Sequence, residues 1–312
     1  MSSEKPSTLR LLLTLSIAIL AVSTSSIFIR FAQAEAPSLV IAASRLLLAS
    51  LFLAPPAYLR HRAELRRLTR KELLLGLLSG IFLALHFATW ITSLEYTTVT
   101  NSVVLVSTSP LWVALLAPLF LKEKLSKTVI LGLILTLIGG TIIGLSDNCA
   151  WDAGIRCVSN ATPQLAEASY GNFLALAGAW AIAGYLLIGR KLRAKMSLIP
   201  YIFLVYAMAA LVMLVILAFA KESLLGYSPK TYLWLLLIAL FPQLIGHSTY
   251  NWALRYLPVA LVSVTTLGEP IGSSILAFII LNEMPTAAQI LGGILILAGI
   301  YVTSRKKTPE EV

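Results

Sequence analysis

Residues 89–139 read TWITSLEYTTVTNSVVLVSTSPLWVALLAPLFLKEKLSKTVILGLILTLIG, and residues 249–299 read TYNWALRYLPVALVSVTTLGEPIGSSILAFIILNEMPTAAQILGGILILAG. At a fixed offset of 160, without a gap, 17 of these 51 positions are identical. Pro110 returns as Pro270, Glu123 as Glu283, Gly132 as Gly292 and Gly139 as Gly299. Two greasy segments that shared only composition would not keep Pro, Glu and Gly in register, so the chain reads as two related halves.

Composition fixes the solvent. With 58% hydrophobic and 12% charged residues and a mean hydropathy of +0.87, the chain falls far below the quarter or so of charged residues usual in soluble domains. A helix needs about 20 apolar residues to cross the hydrocarbon layer. Ten segments qualify: 9–31, 39–59, 73–94, 99–121, 128–146, 170–192, 198–220, 231–254, 259–281 and 287–304. None alternates as the strands of a barrel do. The expected fold class is an all-α integral membrane protein, ten transmembrane helices forming two inverted five-helix repeats. Residues 1–146 make the first repeat, 147–169 an extracytoplasmic linker and 170–312 the second. The first segment reads as a membrane helix, because its apolar run is longer than a signal-peptide core and it pairs with the sixth at the same offset.

The net charge of +10 does not call for nucleic acid, because the basic residues lie between apolar runs rather than on one face. With a cytoplasmic N-terminus, 19 of the 24 Lys and Arg residues fall on the inner side, in clusters such as Arg60, Arg62, Arg66, Arg67, Arg70 and Lys71. The positive-inside rule then places both termini in the cytoplasm of a multi-pass cell-membrane protein. Five helices per half is an odd number, so the second half enters the bilayer upside down. That symmetry is the architecture of secondary transporters. In the outer linker, Cys149 and Cys157 are candidates for a disulfide, and Asn160-Ala161-Thr162 matches a glycosylation acceptor.

Arg45-Leu46-Leu47-Leu48-Ala49, Gly268-Glu269-Pro270, Leu121-Lys122-Glu123 with Gly132 to Gly139, and Leu281-Asn282-Glu283 with Gly292 to Gly299 resemble the EamA-type family of the drug/metabolite transporter superfamily. The resemblance implies a ten-helix carrier in the cytoplasmic membrane, a cavity between the halves, and export of amino acids or other small metabolites. The first half departs from the Glu-Pro pattern with Ser109-Pro110.

Chemistry-bearing motifs are absent: there is no HExxH, no Walker loop and no aspartate-rich cluster. No cofactor, metal or catalytic residue is expected. The competing class, a membrane-embedded lipid- or metabolite-processing enzyme, would need charged clusters at a membrane face. Ionisable groups inside a membrane helix usually face the bundle interior, and Glu269 is the first candidate, either for a cationic substrate group or for a coupling proton. His86 and His247, 161 residues apart, occupy nearly equivalent positions in the third and eighth segments. Trp90, Tyr250 and Asn251 lie three or four residues from them, on what helical spacing makes a shared face. Ser107, Thr108 and Thr266 precede the repeated Pro, and Trp180 with Tyr185 offers flat apolar walls. Arg45 is expected to snorkel to the outer surface or to bond carbonyls of a neighbouring helix. Glu123 and Glu283 read as helix-end residues, and the glycines of segments five and ten as close-packing surfaces. The expected partners are a small-molecule metabolite, protons as a candidate coupling ion, and the lipid bilayer. Oligomeric state is open.

Overall fold

A computed structural model describes residues 6–121, 127–146, 149–150, 156–157, 163–257 and 259–304. Seven helical stretches are long and apolar enough to cross a bilayer: Leu9–Ala32, Ser38–Arg60, Arg70–Tyr96, Val99–Leu116, Pro163–Arg193, Leu198–Ala220 and Pro229–Ala253. Three shorter apolar helices are Ile130–Ile143, Gly268–Leu281 and Ala287–Gly299. Leu12, Leu20, Phe52, Leu211, Phe219 and Ile290 point outward from these helices and are exposed. A soluble protein does not carry an apolar surface so extensive, whereas a bilayer covers it.

In chain order the helices are α1 (Thr8–Ser23), α2 (Ser25–Ala32), α3 (Ser38–Arg60), α4 (Arg62–Arg66), α5 (Arg70–Tyr96), α6 (Val99–Val106), α7 (Ser109–Leu121), α8 (Lys127–Ser146), α9 (Pro163–Arg193), α10 (Leu198–Ala220) and α11 (Pro229–Ile238). A π-helical segment, Ala239–His247, joins α11 to α12 (Ser248–Ala253); α13 (Val259–Thr265) and α14 (Gly268–Leu276) follow, then a second π segment, Ala277–Leu281, and α15 (Ala287–Ser304). The boundaries repeat at the sequence offset. Adding 160 to α3 gives residues 198–220, which is α10, and adding it to the start of α8 gives residue 287, where α15 begins.

Local chemistry sets the ends. Thr69 and Glu72 form a reciprocal capping box at the start of α5, and Ser228 caps α11 ahead of Pro229; both satisfy amides that a helix start leaves open. At residues 107–108 and again at 266–267 the chain makes a turn, so the fourth and ninth segments are each split into two helices. Both breaks fall two to four residues before the repeated Pro, which then sits in the first turn of the new helix, where its missing N–H costs nothing. Glu269 itself lies within the new helix, and its N–H bonds the Thr266 carbonyl at 2.9 Å.

Packing follows the repeat. α5 lies along α9, and α1 lies against the π segment and α12; α10 packs on α3 and α5. α8 and α15 run together, and the glycines explain how closely. A Cβ on Gly139 would sit 2.5 Å from the Gly292 carbonyl oxygen, and one on Gly299 would sit 2.6 Å from that of Gly132. Gly139 and Gly299 are equivalent positions, as are Gly132 and Gly292, so one contact is the counterpart of the other. Bare glycine backbones let two helices meet at this distance.

On the expected outer side, Glu283 accepts from the Val99 N–H at 2.8 Å and pairs with Arg30 at 3.4 Å. The helix-end reading of Glu283 is therefore realised across the molecule, at the start of α6. Glu35 accepts from the Ser228 N–H at 3.0 Å and the Thr231 hydroxyl at 2.8 Å. Cys149 and Cys157 are backbone partners in a two-residue antiparallel pairing of β1 (Cys149–Ala150) with β2 (Arg156–Cys157). Their side chains, together with Glu123 and the Asn160 acceptor, lie outside the described residues.

Candidate functional site

The split helices, α5, α9, the first π segment and α12 converge on a cavity of about 40 Å³, room for a few water molecules in this conformation. His86 and Trp90 come from α5, Val106, Ser107 and Ser109 from the break between α6 and α7, and Ile182, Tyr185 and Leu186 from α9. His247, Tyr250, Thr266 and Glu269 close it from the other half.

Sequence spacing placed eight of these residues at a site: Glu269, His86, Trp90, His247, Tyr250, Ser107, Thr266 and Tyr185. Three others stand apart from the lining. Asn251 is fully buried and faces away, donating to the Tyr185 hydroxyl at 2.5 Å and the Tyr206 hydroxyl at 3.3 Å. Thr108 bonds the Leu105 carbonyl and receives the Trp112 indole N–H. Trp180 is 43% exposed and meets Trp112 edge-on, with ring centres 5.3 Å apart.

The reason is angular. Successive helical residues turn by about 100°, which carries Asn251 off the face that Tyr250 presents and toward Tyr185 and Tyr206. Trp180 and Tyr185, five apart, diverge by about 140°.

The walls are aromatic. The His86 and Trp90 rings are nearly parallel at 13° with centres 5.8 Å apart, and His247 lies 6.3 Å from His86 and 5.3 Å from Phe87. His86 Nδ1 is fixed 3.0 Å from the Gly178 carbonyl, which leaves Nε2 as the ring's free nitrogen. Two buried donors, the Trp90 indole N–H and the Tyr250 hydroxyl, have no partner among the described residues. Among the described residues the Glu269 carboxyl makes no side-chain hydrogen bond either, and it lines the cavity together with Tyr250. Unsatisfied donors beside a carboxyl leave hydrogen-bonding capacity at a cavity shared by both halves, and such groups left unpaired cost about 1–3 kcal/mol each.

Arg45 contradicts the expectation that it snorkels or bonds backbone carbonyls. It is completely buried, its Nε donating to Gln243 Oε1 at 2.6 Å and its Nη1 to Ser25 Oγ at 2.9 Å. Its guanidinium lies 3.9 Å from the centre of the Phe87 ring. The π segment explains this: its wide turns at Pro242 carry Gln243 to Arg45, and side-chain acceptors plus an aromatic face hold the cation at depth. Gln243 and Ser25 were missed in the sequence, although the Pro242-Gln243 interruption of an apolar segment is a usable signal. Beyond Asn251 the polar string continues inward to the buried Arg193, whose Nε donates to the Asn251 carbonyl at 2.9 Å.

Among the described residues, no group of three His, Cys, Asp or Glu side chains is placed to hold a metal ion.

Comparison with known proteins bears on what the cavity serves. The sequence profile of the EamA-like transporter family matches residues 9–145 and 169–305. Both ends of the second match lie 160 residues beyond those of the first. An uncharacterized transporter of Archaeoglobus fulgidus is 27% identical over 301 residues, covering 95% of this chain and 97% of its own. The uncharacterized transporter YetK of Bacillus subtilis is 28% identical over 250 residues, covering 78% of this chain and 72% of its own. A solved crystal structure shares the fold with a TM-score of 0.65 at 19% identity, covering 95% of this chain and 96% of its own.

Proposed function

The chain belongs to the EamA-like transporter family, and from that premise we propose that it is a secondary carrier exporting amino acids or related small metabolites across the cytoplasmic membrane by alternating access. In this reading the seven long spans and three shorter apolar helices all cross the bilayer, as two inverted five-helix repeats with both termini in the cytoplasm. The matching helix boundaries, the reciprocal glycine contacts of α8 with α15 and the doubled family match support it.

The observation that carries the proposal is the cavity itself, lined from both halves and holding two unpartnered donors and an unpaired carboxyl. Rocking of one half against the other exposes such a site alternately to each side without moving the site. Glu269 meets the amine of the substrate or a coupling proton. Trp90 and Tyr250 donate to an acceptor on the substrate, and the His86–Trp90 face supports its apolar part. The outer ties of Glu283 and Glu35 hold the outer mouth closed in this conformation and release when it opens.

The test is a resistance screen. Cells overproducing the protein are challenged with toxic analogues of amino acids, purines and sugars. Protection confined to amino-acid analogues, and lost in Glu269→Gln at equal membrane abundance, is the expected result. Protection against none of the classes would contradict the reading.

A further inference from the structure

The connection between α3 and α5 concentrates positive charge. Residues 60–71 read RHRAELRRLTRK and hold six cations: Arg60, Arg62, Arg66, Arg67, Arg70 and Lys71. All six are exposed, and among the described residues none of them forms an ion pair. The two carboxylates at hand are committed to the chain itself. Glu64 accepts from the Ser197 N–H at 2.7 Å and faces the His61 ring at 3.8 Å. Glu72 accepts from the Thr69 N–H at 2.9 Å and the Thr69 hydroxyl at 2.8 Å. Arg62 and Arg66 stand four residues apart in α4, a like-charge pair on one face that destabilises a helix unless an anion lies against it. The positive-inside rule assigns such a cluster to one side of the bilayer, but it does not turn both carboxylates away or leave every cation unpaired.

Apolar side chains flank the charge at both ends. Tyr58 and Leu59 close α3 and Leu73 and Leu74 lie at the start of α5; all four are exposed, Leu59 by 83% and Leu74 by 66%. Both helices are long and apolar enough to cross a bilayer, so these side chains meet acyl chains where the hydrocarbon ends and the Arg side chains reach the headgroups beyond. A soluble anion would satisfy the charge alone, whereas a lipid covers the apolar rim as well. The surface is held in place: Leu68 packs on the core, and the Glu64 bond ties α4 to the start of α10.

We propose that the α3–α5 connection is a docking surface for anionic phospholipids, whose phosphates neutralise its cations while their acyl chains cover Tyr58, Leu59, Leu73 and Leu74. This surface stands apart from the central cavity, and it binds lipid whether or not that cavity carries solute.

The test is lipid binding to the full-length protein in detergent. Phosphatidylglycerol and phosphatidylcholine are added together in equal amounts, and bound lipid is counted by native mass spectrometry. Each cation that meets a headgroup is expected to favour the anionic lipid about fivefold, the factor that ~1 kcal/mol produces. Wild type should therefore hold phosphatidylglycerol over phosphatidylcholine by about fivefold or more. Arg62→Gln/Arg66→Gln/Arg67→Gln brings the ratio close to one, and Arg62→Lys/Arg66→Lys/Arg67→Lys retains the preference. Lys221→Gln/Lys230→Gln, at the end of α10 opposite Ser197, leaves it unchanged.

If the Gln triple variant does not fold, Arg66→Gln/Arg67→Gln decides the matter, with a severalfold lower preference expected and an unchanged one overturning the proposal. Equal binding of the two lipids by wild type would overturn it. A preference that survives the Gln triple would place the anionic lipid elsewhere on the protein and overturn it as well. Saturable binding of inorganic phosphate at these arginines, without any lipid preference, would assign the cluster to soluble anions and refute the lipid surface.

Discussion

Gly139→Ala is the most direct perturbation of the contact that joins the two halves. The added Cβ would lie 2.5 Å from the Gly292 carbonyl oxygen, 2.9 Å from Ile296 Cγ1 and 3.0 Å from the Ile296 amide nitrogen. Two of these atoms are backbone and cannot rotate away. To restore an ordinary contact of about 3.4 Å, α8 and α15 must separate by roughly 0.9 Å along this line, a gap that forfeits a quarter to a half of each dispersion contact it opens. Overpacking of this kind costs about 1–3 kcal/mol, and alanine's better helix propensity offsets up to about 1 kcal/mol. The expected net loss is about 1–2 kcal/mol. Gly140→Ala is the control, since a Cβ there meets nothing within 4 Å. Thermal unfolding in detergent, followed by the fraction of monodisperse protein, should place Gly139→Ala clearly below wild type and Gly140→Ala at or above it. Equal stability of the two variants would refute the close crossing.

Other parts of the structure give separate tests. Asn251→Leu removes the donor shared by Tyr185 and Tyr206 and is expected to cost about 1–3 kcal/mol of stability. It should also raise the KM of transport more than it lowers the maximal rate, because only the aim of Tyr185 into the cavity is lost. Glu35 lies outside the membrane, and the Ser228 backbone N–H, then the Thr231 and Ser228 hydroxyls, hold its carboxyl below the usual value. A depressed folded value means that the tie is fully present above the unfolded value near pH 4 and is lost as pH falls through the folded one. The stability difference between wild type and Glu35→Gln should accordingly be present at pH 7 and vanish in acid, as followed by unfolding across a pH series. Glu283→Gln keeps an acceptor for the Val99 N–H but removes the charge facing Arg30. A cysteine placed at Thr98 should then react faster with an impermeant thiol reagent added outside, and an unchanged rate would rule out an outer closure through this pair.

Much of the molecule was legible in the sequence because the bilayer imposes it. Apolar length, basic clusters and the 160-residue repeat depend on solvent and duplication, and both leave their mark residue by residue. His86, Trp90, His247 and Tyr250 were legible because three- and four-residue spacing fixes a helical face. Asn251 and Trp180 were not, because neighbours within one turn can point to opposite sides and only packing decides which faces the cavity. Arg45 escaped for a different reason. Its place depends on Gln243 and Ser25, remote in sequence, and on a π-helical turn whose extra width no periodicity announces. The breaks that split residues 99–121 and 259–281 ahead of Ser109-Pro110 and Glu269-Pro270 follow from proline's tolerance in a first turn, which competes with its tendency to disrupt the residue ahead of it.

The proposed function requires that the shared cavity bind solute for exchange across the membrane. The direct measurement is counterflow of labelled amino acid into proteoliposomes preloaded with unlabelled solute, comparing wild type with Glu269→Gln. The expected result is saturable, transient accumulation in wild type that Glu269→Gln abolishes or renders insensitive to pH. Accumulation that is identical in the two proteins at every pH, or absent from both for every solute tried, would contradict it.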